Sequence, residues 1–596
     1  MFSVHAQWNC VSYTITLDSQ ADVDNFVATY GSSGCSRTGI SLIIGANPGS
    51  TSSSDVSDIS GLSFLTEVGG ALIIRNTNLT DLNGLQNIVA IASNFSSPGT
   101  LEIINNPNLT SISSLQNIST TNNEIYDLKV TDNPLLQSLN GISHLKAIRR
   151  VEVINTAITD FQANISPFLL NINIEENPNL TSLSGLVVDS GGTIPTEITI
   201  KDNPALTSIA GLESFVTLEE LTIQNTGLTS LDVFANVTVL EESLTIKDNP
   251  SLVNVNAFSG VSSLQKLYIQ NNAGLTALDG LSNITAVSSN CLIEDNVALT
   301  SVNGLSGLAL VGGTFRLNGS ASLTNVDGLS SLSSVGNQLT ITDCDQLQNI
   351  ALPALNSTLP FTTISENDAL QSISLSNNTQ LSLGNKLHIT NNQSLTDIQF
   401  TLANFTTASS GITVRIEGNA SLSSLHLFSS LSNFRKGISI VNNASLNDLS
   451  DLSILSRSGS ITLSDNPALQ NITDLGKNLE VFGDLRISGN QSLTDISHLD
   501  DIVKVHEDMY LINNIILDEC CILDRFYNQG VVTGSFTMYG NNTNCNSIHD
   551  IFDNCGEDGV LTNDNCPDIS NPDQTDTDND GIGDPCDNCP TVANNN

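Results

Sequence analysis

Basic residues are scarce in this chain: 19 Lys and Arg stand against 61 Asp and Glu over 596 residues, for a formal charge of −42. Such a surface repels a phosphate backbone, so nucleic acid is excluded as a partner, and an anionic bilayer with it. Charged residues of either sign make up 13% and aromatics only 5%, which argues against a core of large rings and for one stacked from small aliphatic layers. No run approaches the roughly 18 apolar residues that a membrane span requires. Catalytic signatures are missing too. The histidines, His5, His144, His388, His426, His498, His506 and His549, occur without HExxH, and neither GxSxG nor a phosphate-binding loop is present. Paired acids such as Glu175-Glu176 and Glu219-Glu220 do occur, but neighbours on a strand point to opposite faces, and solvation is their ordinary role.

What the chain has in abundance is repetition. From residue 71 to about 517 one unit recurs: apolar, any, apolar, two polar residues, then Asn-x-x-Leu. Leu101 to Leu109 (LEIINNPNL), Leu244 to Leu252 and Leu485 to Leu493 are clear copies. The anchor falls at Asn76, Asn106, Asn133, Asn155, Asn177, Asn203, Asn225, Asn249, Asn272 and Asn296, then at Ser320, Cys344, Asn367, Asn392, Asn419, Asn443, Asn466, Asn490 and Asn514. Alternation with a period of two predicts a short strand whose first and third residues are buried. Pro after the anchor, as at Pro107, Pro178 and Pro250, excludes helix there and ends the strand. In the Leu-Thr-x-Leu-x-Gly-Leu that follows, Gly84 and Gly304 are expected to turn a corner at positive φ, leading into a second extended piece. The expected fold is therefore all-β, a right-handed parallel β-solenoid of about 19–20 coils. At ~4.8 Å per coil its rod is roughly 90 Å long. An amide has donors and an acceptor, so Asn stacked at each corner can satisfy the backbone groups that burial leaves unpaired.

These features resemble the receptor L-domain branch of leucine-rich-repeat-like proteins, specifically secreted surface proteins of Bacteroidetes type. The segment Ile15 to Tyr30 (ITLDSQADVDNFVATY), followed by Cys35 and Gly39 to Ile44, is similar to the start of that family's domain, an amphipathic cap before the first coil. The resemblance spans about residues 10 to 555 and implies a fold more than a function, because this fold hosts many partners.

The tail carries a second resemblance, to a thrombospondin type 3 repeat, in Asp564-Asn565-Cys566-Pro567, Asn571-Pro572-Asp573 and the run from Asp576 to Pro590. Spacing points the same way. Asp576, Asp578, Asp580, Asp584 and Asp587 hold the first, third, fifth, ninth and twelfth places of a loop whose sixth is Gly581 and whose seventh, Ile582, offers a carbonyl. That is the pattern of an EF-hand-like cradle for Ca2+, with Asp where the motif has Glu. Asp564, Asn571 and Asp573 are further candidate ligands. No Lys or Arg follows Arg525, so neutralising these carboxylates calls for a metal.

The cysteines cluster at the ends, as bridges sealing a solenoid in an oxidising compartment would. Cys10 is expected to pair with Cys35, and Cys520, Cys521, Cys545 and Cys555 to form two bridges. Cys566 with Cys586 would staple the calcium segment, leaving Cys589 over. Cys291 and Cys344, two coils apart, lie beyond the ~7 Å reach of a bridge and are expected to be buried thiols. The expected organisation is a signal-peptide remnant at 1–7 with Ala6 before the cleavage point, an N-terminal cap at 8–40, the solenoid at 41–517, a disulfide-bonded cap at 518–555 and the calcium-binding segment at 556–596.

The functional expectation is a secreted, non-catalytic adhesion or recognition protein, binding an extracellular protein or glycan from a calcium-stiffened stalk. A polysaccharide-active enzyme on a β-helix is the competing class, and it would need clustered Asp, Arg or Lys on neighbouring coils. Ice binding is the third, prompted by Thr199, Thr222 and Thr245. That run is broken by Tyr268, Leu292 and Arg316. The outward column of the strands, read from Leu72 onward, carries Arg316, His388, Arg415, Arg486 and Tyr510 in its later part and no acid, which makes these the candidate ligand-binding residues. Sequons such as Asn392-Gln393-Ser394 and Asn490-Gln491-Ser492 follow from the repeat, because a buried anchor amide cannot carry a glycan.

Overall fold

The computed structural model describes residues 9–46, 54–91, 99–118, 124–165, 170–188, 196–355, 361–376, 386–402, 413–554, 575–579, 581–587 and 590–591. The chain divides into two units, Met1–Val311 and Gly312–Asn596. Each is a parallel β-solenoid, and together they hold about 19 turns with few helices.

In the first unit the main sheet climbs from Ile15–Leu17 through Leu42–Ile44, Leu72–Arg75, Leu101–Ile104 and Glu124–Asn133 to Val239–Lys247, Lys266–Gln270 and Cys291–Glu294, with parallel pairing from coil to coil. Ahead of the repeats a helix, Gln20–Tyr30, is closed by a Ser19/Asp22 capping box and buries Val23 and Phe26, and Cys10 is bonded to Cys35. In the second unit the sheet runs from Thr314–Asn318 through Gln338–Thr342, Phe361–Ser365, Leu387–Thr390, Thr413–Glu417, Gly437–Val441, Ile461–Ser464 and Leu485–Ser488 to Met509–Ile512 and Phe536–Tyr539. Here Cys520 is bonded to Cys545, and Cys521 and Cys586 are in disulfides as well. Cys555, Cys566 and Cys589 lie outside the described residues. Cys291 and Cys344 are buried free thiols, and burial pushes both up to about 12.

Each coil buries its own apolar layer. Leu244, Ile246, Leu252, Val255, Phe258 and Val261 form one such layer, all at most 1% exposed. Each side chain contributes about 1.5–3 kcal/mol relative to exposure, so stacked layers, not ion pairs, hold the array. The piece after the corner is extended, as expected, in Asp160–Ile165, Ser182–Val188, Asn349–Ala351 and Ser372–Ser374; in many other coils it is not. There it closes as a single 3-10 turn, as in Asn256–Phe258, Asp279–Leu281, Asn303–Leu305 and Asp327–Leu329, and a two-residue strand such as Ala286–Val287 or Leu310–Val311 follows. The turn lets consecutive Leu side chains both face inward, which a strand cannot do. Gly84 has the expected positive φ of 118°. Gly304 does not; it sits inside a turn where a Cβ would come within 1.8 Å of Leu278 O, so its role is close approach between coils.

The Asn corner works as expected and in more detail. In the second unit Asn367, Asn392, Asn419, Asn443, Asn466, Asn490, Asn514 and Asn541 form one series. The backbone N–H of each donates to Oδ1 of the next, at 2.9–3.2 Å. Each Nδ2 donates back to a strand carbonyl of the preceding coil, as from Asn443 to Ile416 O at 3.0 Å. Cys344 occupies one slot, giving its N–H to Asn367 Oδ1 at 3.1 Å. Asn392 and Asn490 are 0% exposed, so their sequons are part of the ladder.

Three expected anchors are corrected by one residue. At Asn76, Asn155 and Asn225 the buried slot belongs to Thr77, Thr156 and Thr226, whose Oγ1 donates to Asn106, Asn177 and Asn249 at 2.6–2.7 Å. The Asn itself takes the preceding position, at φ 56°, 53° and 50°. That position is left-handed in most coils, and Asn tolerates it where β-branched Thr does not. The same one-residue shift makes Leu72 a core residue at 0% exposure, and Ile73 is the outward residue paired with Glu102.

Asn443→Ala removes the acceptor for Asn419 N–H and both Nδ2 donations, to Ile416 O and Val441 O. At about 1–3 kcal/mol per stranded buried group, a loss of several kcal/mol is expected in urea denaturation. Asn442→Gly, at the exposed left-handed position with φ 57°, should stay within about 0.5 kcal/mol of wild type.

Candidate functional site

Period-two alternation sends one residue of each strand outward between two buried ones, and parallel pairing in register aligns these residues coil after coil. In the second unit the column is Arg316, Thr340, Thr363, His388, Arg415, Ser439, Thr462, Arg486, Tyr510 and Thr537, each paired with the next. All five candidate ligand-binding residues therefore lie in one line on one sheet, and no acid interrupts it. The first unit handles the same column differently: Lys129 and Glu152 are neighbours in it and pair at 3.4 Å. Its threonine row, Thr199, Thr222 and Thr245, is in register and runs into Tyr268 and Leu292, which breaks the uniform surface that an ice plane needs.

Neighbouring groups occupy part of the stripe. Arg415 forms an ion pair with Glu417. The Arg486 guanidinium lies 4.2 Å from the centroid of the Tyr510 ring, and the Tyr510 hydroxyl donates to Asp508 at 3.0 Å. That bond raises the Tyr510 hydroxyl above its ordinary value. Asp508 is lowered, first by the Ser535 backbone N–H and then by Tyr510. Burial, followed by the charges of Lys386 and Arg415, holds the His388 imidazole below its ordinary value, with Glu417 pulling the other way. Two neighbours escaped the sequence reading: Lys386, two residues before His388 and outward by the same alternation, and Phe361. Lys386 Nζ is 5.6 Å from the Phe361 ring centroid, and His388 meets that ring edge-on at 5.9 Å.

The tail loop is described in part. Gly581 has φ 91°, as the sixth place of the cradle requires, and its N–H donates to Asp576 Oδ2 at 2.9 Å. Asp576 Oδ1, both carboxylate oxygens of Asp578 and Asp587 Oδ2 are shut off from solvent. Asp584 accepts from Thr577 through both oxygens, at 2.7 Å from the backbone N–H and 2.6 Å from the hydroxyl, so it closes the loop. Ile582 is half-buried. Asp580, Asp564, Asn571 and Asp573 lie outside the described residues, and among the described residues no three potential ligands form a metal cage.

Beside the stripe, one corner lacks an amide. At several other corners the left-handed row is bridged by Asn, as from Asn105 to Asn76 and from Asn271 to Asp248, both at 2.7 Å. Asp343 meets Glu366 instead, and burial first, then the hydrogen bond and charge of Glu366, raise its carboxyl above the ordinary value. A raised folded value means that this pair contributes stability at low pH and loses it as pH rises. Glu366→Gln, which supplies the missing donor, should stabilise the protein by about 0.5 kcal/mol at pH 7. The gain should vanish once Asp343 is protonated in the wild type, a comparison that urea titrations at pH 7 and at pH 3, below the ordinary value, make directly.

Residues 34–140 match the family model of the Receptor L domain, and no curated protein matches the chain. Similar solved structures include an internalin from Listeria monocytogenes, 19% identical over 50% of this chain and 79% of that one, with a TM-score of 0.27. The functional domain of InlJ from the same organism is 17% identical over 71% and 76%, with a TM-score of 0.28. A leucine-rich repeat protein from Bacteroides eggerthii is 12% identical over 82% and 70%, with a TM-score of 0.26. The L-domain match ends at residue 140, and the coil pattern continues past it.

Proposed function

We propose that this chain is a secreted or cell-surface recognition protein without catalytic activity, its solenoid binding an extracellular protein or glycan and its tail forming a calcium-stabilised segment. One observation carries the reading: in a chain with 61 acids and 19 bases, a line of outward positions from Arg316 to Thr537 holds three arginines, a histidine and a tyrosine and no acid. Placed at random in that ratio, the three charged positions of such a line would be mostly carboxylates. Arg and Tyr together suit the recognition of anionic groups, through bidentate hydrogen bonds and ring contacts. The disulfides Cys10–Cys35 and Cys520–Cys545 support an oxidising, extracellular setting, and no helix among the described residues is long and apolar enough to cross a membrane. Replacing Arg316, Arg415 and Arg486 together with Ser should leave the thermal unfolding profile intact and weaken attachment to a glycan array or cell surface by at least tenfold. Unchanged attachment would move the site off this face.

For the tail, the solvent-shielded carboxylate oxygens of Asp576, Asp578 and Asp587 and the left-handed Gly581 suit Ca2+. Asp576, Asp578, Asp580, Asp587 and the Ile582 carbonyl would hold it, and the ion would supply the positive charge that the chain after Arg525 lacks. Chelation should expose residues 557–590 to protease while the coils remain resistant. Calorimetry with calcium on the full chain should register binding that Asp576→Asn together with Asp578→Asn abolishes.

A further inference from the structure

Within the stripe, chemistry is concentrated at one place. On the consecutive strands Phe361–Ser365, Leu387–Thr390 and Thr413–Glu417, a half-buried aromatic ring, two cations and an imidazole come together. Phe361 lies beneath Lys386 Nζ and against the edge of His388. His388 is paired in register with Arg415 on the next strand. Burial, then the charges of Lys386 and Arg415, hold the His388 imidazole below its ordinary value. Glu417 is the acid that meets this group, and it is engaged by Arg415.

A half-buried ring beside fixed cations is a specific pairing. The ring offers an apolar platform to the C–H face of a pyranose, and the cations offer partners to an anion at the sugar's edge. The pairing recurs on the same column: Arg486 lies over Tyr510, three rungs beyond Arg415 by way of Ser439 and Thr462. At ~4.8 Å per rung that is roughly 14 Å, a distance that one sugar unit does not span and a short run of linked units does. Between the two pairs the column presents Ser439 and Thr462, small hydroxyl residues over which a chain can pass.

We propose that Phe361, Lys386, His388 and Arg415 form a subsite for one acidic sugar unit of a linear anionic polysaccharide lying along the column, with Arg486 and Tyr510 as the second point of contact. Phe361 stacks on the sugar ring, Lys386 and Arg415 take its carboxylate or sulfate, and neutral His388 orients a hydroxyl. This inference rests on the reading of the stripe as a recognition face and adds the class of ligand.

The test measures binding of the full chain to three polymers: hyaluronate, which carries carboxylates; dextran sulfate; and neutral dextran. Wild type should bind one or both anionic polymers and leave dextran unbound, and the preferred polymer identifies the anion. Phe361→Ala and Lys386→Ala should each weaken that binding about tenfold, with Phe361→Tyr and Lys386→Arg retaining it and circular-dichroism melts confirming the fold. If the Ala variants bind like wild type while the Arg316, Arg415 and Arg486 triple variant does not, the subsite is overturned and the recognition face stands. If wild type ignores both anionic polymers, the polysaccharide class is overturned, and the triple variant's attachment to cells decides the face separately.

Discussion

The array depends on a side-chain amide repeated at the corner of most coils. A solenoid must turn its backbone inside its own core, and every buried turn leaves an N–H and carbonyls that water cannot reach. Asn meets that demand with one acceptor and two donors at the right distance, and because each Oδ1 accepts from the preceding coil, the corners support one another in series. The Leu and Ile layers supply most of the favourable energy, but without the amide chain the corner between layers could not be dry. Most places where Asn is missing follow the same requirement; Ser320, whose buried hydroxyl has no partner among the described residues, does not. Thr77, Thr156 and Thr226 keep a donor aimed at the next Oδ1, and Cys344 keeps its backbone donation while giving up the amide.

Much of this could be read from the residues in order. Period-two alternation, the repeated Asn and the Pro after it specify strand, corner and stop without reference to the rest of the chain, and apart from Leu72 they place the outward column correctly. Three features were hidden for physical reasons. The 3-10 turns in segments such as Asp279-Gly280-Leu281 are too short to show a period. In Asn76-Thr77 the two residues compete for the corner, and the outcome turns on which can adopt positive φ, a conformational preference and not a pattern. Lys386 and Phe361 come before the buried pair of their strands, and only the stacking of three strands brings them together. In the tail, spacing located the loop at Gly581, but the engagement of Asp584 by Thr577 depends on how the loop folds back on itself.

Charge is distributed with a division of labour. Acids populate the corners and the tail, where a left-handed Asp or an amide-bridged carboxylate is at ease, as at Asp132, Asp202 and Asp248. The few bases sit mostly on strand faces. In the first unit Lys129 meets Glu152 within the outward column; in the second Arg316, Arg415 and Arg486 share the column without an acid in it, while Arg415, Arg457 and Arg525 pair with acids beside it. A net charge of this size repels like-charged molecules, and against that background even a handful of aligned cations is a distinctive local field.

The amide series also has a direction. Each coil hands its N–H onward to the next Oδ1, so the two ends of the chain of amides are chemically different: one ends in an acceptor, the other must be given a last partner. In the second unit that last partner is Asn541, whose Nδ2 reaches back to Leu511 O and across to Cys545 O at 2.9 and 3.0 Å, and Cys545 is tied to Cys520. The bridge therefore acts as a clasp on a zipper. With Cys520 and Cys545 joined, the last tooth is held from two sides, by the Leu511 carbonyl of its own ladder and by the Cys545 carbonyl at the bridge.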